Sequence, residues 1–573
     1  MKNTEIIEIL ENIAVLLELK GESIFKSRAY QKAARSIEFL SEDVSKLVAE
    51  DRLNEIPGVG EAISKKLTEL VRTGHLDYYE KLKAEFPAGI NLLMEVPGIG
   101  PRTALLLTKE LGISSIDDLE KAVTNGLVAD LPRMGEKTAQ NILRQVRAYR
   151  KKKSEHRVPL GTALTAAEAL MEGIGAISGL RHLSLAGSLR RFKDTIGDID
   201  LIGTADNLET TIEAFTRLPN VKEIQGKGPS MASVIISNGL QVDLRILEND
   251  SWGSALQYFT GSKQHNIDLR SRAERLGLSL SEYGITDLAS GKLEKFATEE
   301  AFYRRQGLDY IPPEIREGQR EIALAEKSAL PHLIELADIQ GDLHMHSDWS
   351  DGSVPLEEMI IAARQRGYQY VAVTDHSPGL GIAGGLNSQR LHQQIQLIGE
   401  LNRKYSDIRI FTGIEVDIRA NGTLDVPDEI LAELDVVIAS VHSGLNQGIE
   451  QMTQRIISAV RNPHVDILGH PTCRMLGERE PVDLDMEAVF KAALDQHTAL
   501  EINALPSRLD IKDTHISQAR QMGVKLVMST DAHHPDHFNF MRYGIGIARR
   551  GWCEAKDILN TLPADKFKTA LKA

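Results

Sequence analysis

The chain has 573 residues, 42% hydrophobic and 26% charged; these globular proportions exclude collagen-like, mucin-like and disordered classes, and at about 150 residues per domain they predict roughly four folding units. Two cysteines, Cys473 and Cys553, cannot build a disulfide framework, which points to a reducing compartment and away from redox chemistry. The net charge of -14 excludes a generally basic nucleic-acid binder, so any DNA contact must come from local features.

The opening MKNTEIIEILENIAVLLELK carries glutamates where a secretion signal needs an apolar run, and no stretch reaches the ~18 apolar residues of a membrane span. A soluble, cytoplasmic protein with no membrane partner is expected. Residues 1 to about 150 read as short amphipathic helices separated by glycine turns. Within them Ile56-Pro57-Gly58-Val59-Gly60, Val96-Pro97-Gly98-Ile99-Gly100 and Leu131-Pro132-Arg133-Met134-Gly135 recur, each ahead of a helix-forming run. Glycine allows a tight turn, and the N–H groups of the next helix point outward at one phosphate oxygen. Gly58, Gly60, Gly98, Gly100 and Gly135 are therefore candidate contacts to the DNA backbone. A single copy would read as a plain helix connector; three copies favour DNA, and the third, with Arg133 in place of a glycine, has the weakest grip. Arg144, Arg147, Arg150, Lys151, Lys152, Lys153 and Arg157 follow, opposed only by Glu155, as either a solvated linker or a phosphate-contacting strap.

From about 160 to 320 the pattern is mixed α/β. Asp198 and Asp200 lie two apart in DIDLIGT, so on a strand they share a face; Asp243, in VDLRI, is a third acid on an apolar strand. Clustered carboxylates with substrate phosphates select hard Mg²⁺ or Mn²⁺, and two such ions suit phosphoryl transfer. Asp-x-Asp alone is common on surfaces. Here it follows Gly187-Ser188-Leu189-Arg190-Arg191, a turn that offers backbone donors, a hydroxyl and a guanidinium to a triphosphate.

These residues resemble the nucleotidyltransferase signature of the X family of DNA polymerases, the group containing polymerase β. Tyr258-Phe259-Thr260-Gly261-Ser262, with Asn266 and Arg270 beyond it, is similar to that family's thumb segment. The resemblance implies that Gly187, Ser188 and Arg191 hold the triphosphate, that Tyr258 and Phe259 border the sugar and that Gly261 belongs to the same nucleotide-binding set. It puts Asn266 near the base or its minor-groove edge and counts Arg270 among the nucleotide-binding residues. It also implies that Asp198 and Asp200 bind two metals while Asp243 deprotonates or orients the primer 3′-hydroxyl. Lys66 aligns with the family's lyase nucleophile; a supporting lysine is Ala62 here, and a solvated Lys65-Lys66 pair is the alternative.

Twelve of the seventeen histidines fall after residue 340. There, seven apolar runs alternate with helical segments, and most end in a potential metal ligand: His344 and His346, Asp375 and His376, Glu415, His442, His470, Glu501 and Asn503, Asp531 and His533. This grammar predicts a distorted (β/α)7 barrel with chemistry at the carboxyl ends of its strands. Imidazole with carboxylate favours Zn²⁺, Mn²⁺ or Fe²⁺ over Mg²⁺. His392, His464, His497 and His515 read as ordinary hydrogen-bonded histidines. The segment resembles a polymerase-and-histidinol-phosphatase (PHP) domain. That resemblance implies up to three ions, Zn²⁺ and/or Mn²⁺: His344, His346, Glu415 and Asp531 at the first; Glu415, His442 and His470 at the second; Asp351, His376 and His533 at the third.

Together the two resemblances imply a bacterial X-family polymerase carrying a PHP domain. The expected fold is a multidomain chain: a helical lyase-like domain with the first hairpin (1–85), a fingers-like helical domain with the other two (86–155), an α/β nucleotidyltransferase palm (156–250), a thumb (251–318), a linker (319–338) and the PHP barrel (339–573). Expected are gap-filling synthesis on gapped or primed double-stranded DNA with dNTPs, as a monomer in base-excision repair. A 3′–5′ exonuclease is expected in the barrel, with AP-endonuclease or 3′-phosphoesterase action implied beside it. The alternatives are a DNA-tethered phosphoesterase with an inactive polymerase core, a DNA-end scaffold, and a nucleotidyltransferase of another kind, which would leave the hairpins and the Tyr258–Ser262 segment without a reason.

Overall fold

The computed structural model describes residues 3–20, 22–38, 44–56, 58–85, 93, 96, 99, 101–113, 115–131, 134–135, 138–139, 142–143, 146 and 157–572. Two compact units divide the chain: Met1–Arg157, Leu170–Ser184 and Leu201–Trp252 in one, Val158–Ala169, Leu185–Asp200 and Gly253–Ala573 in the other. Among the described residues no helix is long and apolar enough to cross a membrane.

In the first unit every regular element described before residue 157 is helical. Helix Asn3–Lys20 places Ile6, Leu10, Ile13 and Leu17 on one buried stripe, the 3.6-residue period of an amphipathic helix. They join Ile56 and Val59 of the first hairpin and Ile63, Leu67 and Leu70 of helix Glu61–Thr73 in one core. That helix ends at Gly74 in the left-handed conformation, φ 70°, which glycine adopts without a Cβ clash. Leu131 and Met134 of the third hairpin belong to a second helical core with Leu107 and Leu119. Then comes a five-stranded sheet in the order Leu180–Leu185, Ile199–Ala205, Gln241–Leu247, Met231–Ile236, Val221–Lys227. Along Gln241–Leu247 the residues Val242, Leu244 and Ile246 are buried, so alternation puts Asp243 and Arg245 on the other face.

In the second unit, helices Trp252–Thr260 and Lys263–Arg275 lead into a three-stranded antiparallel sheet, Leu278–Ser281, Gly284–Asp287 and Leu293–Glu294. Their core takes in Trp552 from far along the chain. A fully buried guanidinium, Arg316, donates to Glu299 at 2.6 Å and to the Ile311 carbonyl at 2.8 Å.

Seven parallel strands follow, each hydrogen-bonded to the next in chain order: Gly341–Asp342, Tyr370–Val373, Arg409–Asp417, Val436–Ser440, Ile467–Leu468, Ala499–Asn503 and Leu526–Ser529. Helices such as Leu356–Gln365 and Met486–Gln496 separate them, as the strand–helix grammar predicts. The ring closes where Met345 bridges Ala532: His346 N donates to Ala532 O at 2.8 Å and Ala532 N to His344 O at 3.1 Å. Tyr370, Phe411 and Phe567 are buried together in its core, and the Tyr370 and Phe567 rings stack with centroids 4.9 Å apart. Residues at the carboxyl ends of adjacent strands thereby converge on one rim.

Candidate metal centre and nucleotide site

Glu415 stands at the centre of the barrel rim. One carboxylate oxygen, Oε1, lies 2.9 Å from His470 Nε2 and 3.3 Å from His442 Nε2; Oε2 lies 2.9 Å from His376 Nδ1, 3.4 Å from His344 Nε2 and 3.7 Å from His346 Nε2. Five imidazoles from four strand ends thus share one buried carboxylate. Burial pushes the Glu415 carboxyl up, yet the imidazoles outweigh it and hold it well below the usual range. Burial, with His533 and His376 beside it, pushes His346 down to about 3, so His346 is a neutral imidazole with one nitrogen lone pair to give.

Three groups place their ligand atoms within 4.8 Å of one another: His344, His346 and Asp531; His376, Glu415 and His442; and His346, Asp351, His376 and His533. All nine ligands expected from the sequence are thus in one constellation. The groups overlap: His346 also stands with Asp351, and His376 with Glu415 and His442, while His470 is tied to Glu415. His344 Nε2 and both ring nitrogens of His346 are buried without a hydrogen-bond partner, at a cost of about 1–3 kcal/mol each. A cation would take the bare nitrogen of each ring, and the imidazole–carboxylate set fits Zn²⁺ or Mn²⁺.

Second-rank contacts orient these rings. His344 Nδ1 lies 2.7 Å from Glu501 Oε1, and His442 Nδ1 is 3.3 Å from Asp417 Oδ1. Such outer partners fix the tautomer that presents the other nitrogen. Sequence reasoning marked Glu501 only as a strand end, missed Asp417, and missed Arg508, whose Nε lies 3.5 Å from Asp531 Oδ2. Asp417, two residues after Glu415 on the same strand, was the available signal; nothing local marks Arg508. The histidines read as ordinary lie elsewhere: His392 faces Glu433 at 3.1 Å, His497 caps a helix and His515 sits against Phe490.

The nucleotide loop has its own geometry. Gly187 opens the short helix Gly187–Arg190 with φ +53°, and a Cβ there would lie 1.8 Å from Asp200 Oδ2. Only glycine lets the loop sit on that carboxylate. Asp198 is exposed and Asp200 half-buried beside that loop, and two such mutually repelling carboxylates fit divalent cations. On its own strand Asp243 is half-buried, and Gln241 Nε2 donates to both of its oxygens, at 3.1 and 3.2 Å. Tyr258 and Phe259 lie on a helix with their rings edge to face, 5.1 Å apart. Asn266 Nδ2 donates to the Tyr258 carbonyl at 2.8 Å, and Arg270 lies one turn further along the same helix.

Of the hairpin glycines, Gly58 has φ +89° and would place a Cβ 2.8 Å from Lys32 Cγ, whereas Gly60 and Gly135 face open space. Gly60 caps helix Glu61–Thr73, its carbonyl accepting from Ile63 and Ser64 N–H. Gly98 and Gly100, and the basic run apart from Arg157, lie outside the described residues. Lys66 Nζ stands over the Tyr78 ring, 4.7 Å from its centroid, and donates to the Ala62 carbonyl at 3.3 Å.

Helical hairpins, a carboxylate-bearing sheet with a Gly-Ser loop, and a histidine-lined barrel define an X-family nucleotidyltransferase joined to a PHP metal centre. Family comparisons agree: residues 1–76 match a helix-hairpin-helix domain, 90–148 a SAM-like helix-hairpin-helix tandem, 255–317 the DNA polymerase beta thumb and 342–504 the PHP domain. The "DNA polymerase/3′-5′ exonuclease PolX" of Bacillus subtilis (strain 168) is 39% identical over 574 residues, covering 100% of both chains. The chain belongs to the PolX family. Proteins described as probable phosphatases match about a third of the chain: one from Clostridium acetobutylicum is 35% identical over 34% of this chain and 78% of its own, and one from Thermoanaerobacter sp. (strain X514) is 33% identical over the same shares.

Proposed function

We propose that this chain fills short gaps in duplex DNA by template-directed addition of dNTPs and removes nucleotides from 3′ ends at its barrel. The observation that carries the reading is that a chain alike over its whole length to a DNA polymerase/3′–5′ exonuclease gathers a histidine–carboxylate cluster at its barrel rim and carries Asp198, Asp200 and Asp243 on the strands after its Gly-Ser loop.

At the first site Ser188 and Arg191 bind the triphosphate, and Gly187 keeps Asp200 against the loop. Asp198 and Asp200 would hold two Mg²⁺ or Mn²⁺ ions, and Asp243, kept in place by Gln241, takes or orients the primer-hydroxyl proton. Divalent ions held there would supply neutralisation of charge on the transferring phosphoryl group. Tyr258 and Phe259 give the incoming sugar an aromatic wall, and the hairpins at Gly58, Gly60, Gly98, Gly100 and Gly135 hold the duplex by its phosphates. In the barrel, the nine ligands would hold Zn²⁺ or Mn²⁺, which supply Lewis acidity and activate water. Glu501 and Asp417 hold His344 and His442 in the ligating tautomer, and Arg508 faces the rim where a phosphate would sit.

The test uses a one-nucleotide-gapped duplex with dNTPs and Mg²⁺ or Mn²⁺. Asp198→Ala should abolish incorporation and spare 3′ degradation; His344→Ala should do the reverse. Loss of both activities in either folded variant overturns the two-site reading. The similarity of a third of the chain to probable phosphatases, beside the PHP domain at 342–504, favours a second substrate, a 3′-phosphate end, whose conversion to hydroxyl should depend on His344 and not on Asp198.

A further inference from the structure

The loop assigned to the triphosphate is gripped from the barrel. Arg191 donates through Nη1 to the Thr260 carbonyl at 2.5 Å and through Nε to Glu317 Oε1 at 3.2 Å; neither bond uses Nη2. Gly261 makes the approach possible, with φ +69° and a virtual Cβ only 3.2 Å from Arg191 Nη1. Glu317 Oε1 also accepts from Arg550 Nη1 at 2.9 Å, and its Oε2 lies 3.4 Å from Lys193 Nζ.

Arg550 is the last residue of the barrel helix Met541–Arg550 and is 7% exposed. Its Nη1 donates to the Arg191 carbonyl at 2.7 Å, and its Nη2 pairs with Asp513 at 2.7 Å. One turn earlier Gly546 makes room for Phe192: a Cβ at 546 would lie 2.0 Å from that ring. Phe192, at φ +54°, is the residue after Arg191, so the backbone that aims the Arg191 guanidinium is pinned on both sides of its peptide unit.

Glu317 is one carboxylate shared by Arg191, Arg550 and Lys193. Close opposite charges attract more strongly as water is excluded, so a carboxylate whose other cation is removed competes with phosphate oxygens for the guanidinium that remains. We propose that Arg550 is a positioning residue for nucleotide binding: by occupying Glu317 and holding the Arg191 carbonyl, it keeps the Arg191 guanidinium turned to the triphosphate. The barrel then supplies part of the polymerase's nucleotide pocket. The inference rests on the polymerase reading above.

The experiment measures single-nucleotide incorporation on the gapped duplex by the full-length protein, as Arg550→Met, Arg550→Lys, Glu317→Gln and the Arg550→Met/Glu317→Gln pair. Charge-assisted hydrogen bonds correspond to about tenfold or more in affinity. Arg550→Met should therefore raise KM for the dNTP about tenfold with kcat and KM for DNA changed less than threefold; Arg550→Lys should fall between. Adding Glu317→Gln to Arg550→Met should restore much of the KM, because a neutral amide no longer claims Arg191. A merely structural role would lower melting temperature and kcat without that rescue. Unchanged KM in Arg550→Met, or no rescue in the pair, overturns the proposal while leaving the polymerase reading intact; should Arg550→Met not fold, an unchanged KM in Arg550→Lys overturns it equally. Absence of incorporation by the unsubstituted protein overturns the polymerase reading itself and the inference with it.

Discussion

Gly187 and Asp200 meet so closely that a single methyl group at 187 would fall 1.8 Å from the Asp200 carboxylate oxygen. Gly187→Ala must therefore push either the loop or the carboxylate aside, and its positive φ adds strain for any other residue. Displacements near 1 Å cost about 100-fold in rate. Gapped-duplex assays should show incorporation falling by about that factor while 3′ degradation stays within twofold; equal loss of both activities would place the defect in folding.

Glu501 does not reach the centre of the barrel rim itself, yet it holds His344 by a 2.7 Å contact to Nδ1. Removing such an outer partner costs about 10–100-fold in metal affinity or activity. Glu501→Ala should lower nuclease activity by that factor and weaken metal retention, read by elemental analysis after dialysis against a graded chelator series. Unaltered metal content and activity would reduce Glu501 to a packing residue.

Arg316 is fully buried between Glu299 and the Tyr303 and Tyr310 rings, 5.2 and 5.5 Å from their centroids. Breaking a buried pair by removing one partner costs about 3–5 kcal/mol. Arg316→Met leaves Glu299 paired with Arg190 at 2.5 Å, so the lower end of that range is expected. Amide exchange in 299–316 should accelerate accordingly, with exchange in the barrel strands unchanged. Protection unchanged in 299–316 would count against the pair as a structural tie.

Burial, with Lys512 and Arg474 nearby and only partly offset by Asp513, pushes the His515 imidazole down to about 4 from its ordinary 6.5. Its folded pKa is depressed, so above about pH 6.5 both states are neutral there and no stability depends on it. Below that the unfolded chain takes up the proton and the folded one resists it until about pH 4, so stability falls across this window. Urea midpoints at pH 7 and pH 5 should differ less in His515→Asn than in the unsubstituted protein. An equal fall in both would remove His515 from the acid sensitivity.

The chemistry was legible wherever a ligand sits at the end of an apolar strand run. His344-x-His346 and Asp198-x-Asp200 are local patterns, because the strand period alone puts both side chains on one face. The seven-strand barrel was legible too, since parallel strands buried on both sides announce themselves as apolar runs. Contacts made across long sequence separations were not. Arg550 lies 233 residues from Glu317, and Arg508 reaches Asp531 from a loop; in sequence each is one more arginine on a polar stretch. Tyr258 and Phe259 could be read as an edge strand before a Thr-Gly turn, yet they are helical, because the neighbours Ala255 and Leu256 bury one helix face and tertiary packing overrides aromatic strand propensity.

The Met345–Ala532 bridge joins the first barrel strand to the end of the last. His344 and His346 leave the ribosome almost two hundred residues before Asp531 and His533, so the nuclease centre lacks ligands until synthesis of the barrel is nearly finished. A nascent chain that has already folded its hairpins can therefore hold DNA before it is able to cut it.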